Sequence, residues 1–200
     1  MKGEITIMLR LYKVKHYLKE NSLIYLIITI IFTVGLIFGG IYVNLITSAD
    51  FSESEEALHA YIKGMSVFRY NFNDELIVAG IFFGSFFLFG KWIISFFVFR
   101  YGFLIGYLCA FLIKSYDVKG VFPGCTYLFL NLTLIFPFII ILAQTGLNIT
   151  SEIFCAVFKR HTLKSDFNRV IITYTVVFFI SLIAVALLSR LKMNIFLKTF

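Results

Sequence analysis

Leu23 to Ile46 is a run of 24 amino acids without a charge. As a helix it would reach about 36 Å, enough to cross the ~30 Å hydrocarbon core of a bilayer. The chain of 200 residues holds several such runs, with 60% hydrophobic and 14% charged residues, 26 Phe and 11 Tyr. Its mean hydropathy is +0.92. One soluble core of this size could not bury that many aromatic rings, so lipid must cover much of the apolar surface. The expected fold class is an all-α, polytopic transmembrane helical bundle of about five spanning helices, with a short amphipathic helix on the outer surface.

Charge sets the expected orientation. Residues 1–22 form a basic arm, with Lys2, Arg10, Lys13, Lys15 and Lys19 against Glu4 and Glu20. The arm is too long and interrupted for a secretory n-region, and no small-residue cleavage site follows the first apolar run. That run reads as a retained span over 23–46, with the arm in the cytoplasm. Residues 47–75 reverse the sign, with Asp50, Glu53, Glu55, Glu56, Asp74 and Glu75 against Lys63 and Arg69. This is the expected outer loop, 47–71 before the next span. Ser52 and Glu55 resemble a capping box, and Ala57, Leu58, Tyr61, Ile62 and Met65 recur at helical spacing after it.

The second and third spans are placed near 72–91 and 100–116. Lys91 and Arg100 would then both reach the cytoplasmic interface, with Trp92 to Phe99 lying along it as a wedge. That avoids a mid-membrane cation, which costs roughly 2.5–3.5 kcal/mol on insertion scales. After an outer turn at 117–120, Pro123 suits the first turn of a fourth span near 121–142, and Pro137 inside that span predicts a kink. A second inside loop carries Lys159, Arg160, Lys164 and Arg169 against Asp166. A fifth span near 170–189 puts the tail, 190–200, outside. There Arg190, Lys192 and Lys198 run against the cytoplasmic enrichment of basic residues, whereas an upstream re-entrant hairpin would return the tail inside. The expectation is five spans.

The basic clusters sit between apolar runs rather than along one face, which favours loops beside anionic lipid headgroups over nucleic acid. Cys109, Cys125 and Cys155 lack metal-ligand spacing and lie in or beside apolar runs. His16, His59 and His161 are isolated from them and from each other. No metal, cofactor or catalytic set is expected, and no disulfide framework.

Glycine pairs stand out instead. Gly35 and Gly39, Gly80 and Gly84, and Gly102 and Gly106 each recur at i, i+4, as do Gly120 and Gly124 at a turn. In lipid, close backbone approach at small residues drives helix association, so the first three pairs are candidate packing faces. The same faces leave homo-oligomerisation open. Asn44, Asn131, Thr133, Gln144 and Ser181 are the polar residues within apolar segments. Asn131 beside the Pro137 kink is the one place where a transporter or channel subunit would set a site. The sequons Asn131-Leu-Thr133 and Asn148-Ile-Thr150 fall in membrane-embedded and inner-face positions, unsuited to glycosylation.

Several stretches resemble the stage II sporulation protein M family of endospore-forming bacteria. The similarity rests on the basic arm, the first span ending Val34-Gly35-Leu36-Ile37-Phe38-Gly39-Gly40-Ile41-Tyr42-Val43-Asn44, the acidic outer loop, Tyr101-Gly102-Phe103-Leu104-Ile105-Gly106, and the stretch Asn131 to Pro137. Members of the wider group often carry Pro-His, then Glu and Pro, in the fourth span. Aligning Pro137 with that last Pro puts Leu130, Asn131 and Ile135 at the others, so this chain lacks the protonatable residues there. The resemblance implies a noncatalytic scaffold in the mother-cell membrane around the forespore. Its implied partners are peptidoglycan hydrolases, a lytic transglycosylase and an amidase, recruited during engulfment.

Overall fold

In the computed structural model residues 22–45, 67–158 and 167–197 are described. The basic arm, the outer amphipathic helix expected after Ser52 and the three histidines lie outside them. All the described elements are helical: α1 (Ser22–Leu45), α2 (Val67–Gly84), α3 (Gly90–Tyr116), α4 (Val118–Leu130), a π turn (Asn131–Ile135), α5 (Phe136–Phe158) and α6 (Phe167–Leu197). Four stretches are long and apolar enough to cross a membrane: α1, α3, the continuous run Val118–Phe158, and α6. The chain is an all-α, multi-pass membrane protein. The helix at the expected second span, α2, is not among the four; it has 18 residues and carries Arg69, Asp74 and Glu75.

α1 and α3 form the tightest pair, and glycine is the reason. A Cβ built on Gly35 or Gly39 would run into the backbone carbonyl of Phe99 or Phe103, and one on Gly102 or Gly106 into that of Phe32 or Leu36. The two backbones are therefore in direct contact, each through its own glycines, where lipid gives apolar side chains no drive to cluster. The register advances in the same direction on both helices, so they run parallel. Near their C-terminal ends Lys114 Nζ donates to the Val43 carbonyl at 2.9 Å, satisfying an oxygen in α1's last turn and meeting the negative end of its dipole.

α2 and α3 form an antiparallel hairpin closed by Ser85–Phe89. Here Gly80 and Gly84 make room for side chains rather than backbone, facing the Phe97 ring and Ile93 respectively. Phe83, Phe87, Phe89 and Trp92 are exposed around the turn, and Trp92 is of the type enriched at membrane–water interfaces.

Several expected boundaries move. The third span begins at Gly90, so Trp92 to Phe99 is helix and not an interfacial wedge. The reversal is completed earlier because Gly90 packs against the Gly84 carbonyl, where any side chain would collide. The fourth helix begins at Val118, directly after Asp117 at φ 50°, which leaves Pro123 inside α4 instead of in its first turn. The kink expected at Pro137 is realised as the π turn before it, closed by the Phe136 N–H donating to the Asn131 carbonyl. A proline ring collides with the carbonyl four residues back, and widening the turn relieves that. Helix then continues beyond 142 to Phe158, because its polar side chains find internal partners: Tyr25 donates to Gln144 Oε1 at 2.8 Å, and Thr150 to the Ser85 carbonyl at 2.9 Å. The last helix runs to Leu197 rather than ending near 189.

Candidate functional site

The buried polar centre of the bundle assembles where five elements meet. Lys192 of α6 is held by the carboxylate of Asp74 from α2, with Nζ to Oδ2 at 2.7 Å. The same ammonium donates to Asn131 Oδ1, at the head of the π turn, at 3.0 Å. It also lies over the Tyr127 ring of α4, 5.2 Å from the centroid, within cation–π range. Ser189, one turn before Lys192, donates to Asp74 Oδ2 at 2.7 Å. Tyr101 of α3 donates to Asn131 Oδ1 at 3.1 Å, and Asn131 Nδ2 donates to the Tyr127 carbonyl at 2.8 Å. The side chains of Lys192 and Asp74 are 3% and 10% exposed.

Asp74 precedes Ser85 by eleven residues and Tyr101 follows Gly90 by eleven, so both stand about 16 Å from the aromatic turn. Two opposite charges buried inside a helical membrane bundle are tolerable only as a hydrogen-bonded pair, and ionisable groups within membrane spans are usually functional or assembly-determining.

The glycine pairs Gly35/Gly39 and Gly102/Gly106 meet each other across the α1–α3 contact, whereas Gly80/Gly84 face α3 side chains. Asn44 is exposed near the end of α1, Pro137 is exposed in the first turn of α5, and Asn131 is fully buried. Lys91 and Arg100 do not share a level. Nine residues of continuous α3 separate them, about 13 Å, because the expected wedge is helical. Lys91 stays at the turn, and Arg100 is exposed near the level of the ion pair. Cys109, Cys125 and Cys155 are free thiols, and no group of three His, Cys, Asp or Glu among the described residues could hold a metal.

Of the residues in this centre, sequence reasoning singled out Asn131 alone. By local charge Asp74 belongs to the outer acidic loop and Lys192 to the basic tail. A signal was present: Tyr174, Phe178, Ser181, Val185, Ser189 and Lys192 are all buried on α6 and recur every three or four residues, so Lys192 continues the inward-facing stripe.

Fold and site define a multi-pass α-helical membrane protein with a buried, hydrogen-bonded ion pair at its centre. No family model, curated protein or solved structure matches the chain.

Proposed function

We propose that this protein is a noncatalytic membrane scaffold that anchors peptidoglycan-remodelling enzymes, in a sporulating cell at the mother-cell membrane around the forespore. The observation that carries the scaffold part is the closed character of the polar centre. Asp74, Lys192, Ser189, Asn131 and Tyr101 are bonded to one another, so they fix helices in place instead of facing a bound substrate. With the α1–α3 backbone contact, this makes a platform suited to holding a partner. The sporulation setting and the two hydrolase partners rest on the family resemblance of the sequence. Capture of the full-length protein from sporulating cells of its host, in mild detergent, should recover a lytic transglycosylase and an amidase. Repeated capture of an intact protein without either enzyme overturns the reading.

A transporter or channel subunit is the second reading, favoured by the buried ion pair beside a π turn, a helix irregularity frequent at functional sites. Reconstituted vesicles would then show solute or ion flux that Asn131→Leu or Asp74→Asn abolishes. Flux indistinguishable from that of empty vesicles argues for the scaffold.

A further inference from the structure

We propose that α2 is a dependent span: it settles in the membrane domain only when α6 brings Lys192 to Asp74. Four helical stretches qualify as spans by length and composition, and α2 does not. Its 18 residues carry Arg69, Asp74 and Glu75, all in the first half. An uncompensated carboxylate within a span opposes insertion of a helix this short.

The compensation comes from α6. Among the described residues the donors on the Asp74 carboxylate, Ser189 Oγ and Lys192 Nζ, both belong to that helix, and Lys192 follows Asp74 by 118 residues. During synthesis α2 therefore emerges long before its counter-charge exists. Nearer the turn, the same two helices meet through Phe82, whose ring stacks on Phe178 at 4.0 Å and lies 5.1 Å from Tyr174. The α2 face carrying Ile77, Val78 and Ile81 is buried, so a docked α2 is integral to the core although its sequence makes it the weakest span.

The dependence is reciprocal. Lys192 lies on the inward stripe of α6, and without Asp74 its ammonium would keep only the neutral Asn131 oxygen and the Tyr127 ring. The C-terminal turns of the chain thus carry the information that places its second helix.

The test uses the full chain in native membranes, with Cys109→Ala, Cys125→Ser and Cys155→Ser, and one reporter at a time: Ala79→Cys in α2 or Ile37→Cys on the lipid-facing side of α1. Membrane-impermeant maleimide is applied to both faces. Ala79→Cys should be protected in this background, several-fold more labelled with Lys192→Met, and within about twofold of the background in the Asp74→Asn/Lys192→Met double variant, where neither charge needs a partner. Ile37→Cys should stay protected throughout. Unchanged labelling of Ala79→Cys with Lys192→Met, or equal labelling in single and double variants, overturns the proposal. Labelling of Ile37→Cys alongside Ala79→Cys overturns it too, because the pair would then hold the whole bundle and not α2 in particular.

Discussion

Asp74 and Lys192 stand 118 residues apart in the chain and 2.7 Å apart in the bundle. They join the least apolar of the described helices to α6, with both side chains buried. Asn131 and Ser189 complete the contact, so that the ammonium and the carboxylate each keep a second partner. Removing one charge leaves the other buried without its counterpart. Asp74→Asn or Lys192→Met should therefore destabilise the protein by about 3–5 kcal/mol, and the double variant should recover most of that loss. A double-mutant cycle of unfolding free energies in detergent measures it; additive single effects would show that the pair is not coupled.

The α1–α3 contact predicts an asymmetry among the glycines. Gly35→Ala or Gly102→Ala places a methyl against the opposite backbone, which cannot rotate away, and should cost about 1–3 kcal/mol. Gly80→Ala meets the Phe97 ring, which can turn aside, and should cost less. Thermal unfolding of the three variants in one detergent checks the order.

Arg100 is exposed on α3 near the level of the ion pair. An Arg at a helix centre opposes insertion by roughly 2.5–3.5 kcal/mol, and Leu favours it slightly. Arg100→Leu should therefore make apparent insertion of α3 more favourable by about 3 kcal/mol in a translocation assay. Lys91→Leu, at the interfacial turn, should change it much less. Equal effects would return both cations to one interface.

Asp117 makes the reversal between α3 and α4 at φ 50°, a region that β-branched side chains resist and glycine enters freely. Asp117→Val should destabilise by about 1–3 kcal/mol, and Asp117→Gly should not. Comparing their melting temperatures with that of the parent decides it.

Membrane residence, the all-α class and the four long apolar helical stretches are legible in the sequence, because each follows from local composition. An uncharged run longer than a bilayer is thick has few other folds available. Asn131 and Pro137 are also visible as interruptions, although the sequence does not show that the proline's irregularity takes the form of a π turn. Helix limits were harder to read. Lys91, Arg100, Gln144 and Lys192 all looked like boundary markers, and three of them lie within helices that continue past them.

Tertiary structure alone decided which charges are internal. Taken locally, Asp74 belongs to an acidic stretch and Lys192 to a basic end, and each places its segment at a membrane surface. Only antiparallel packing of α2 on α6 brings them within hydrogen-bond distance, and the low dielectric then turns two unfavourable residues into a joint. The amino-acid sequence by itself determined that the chain lives in lipid; the partner of each buried charge was set by long-range packing that no local pattern encodes.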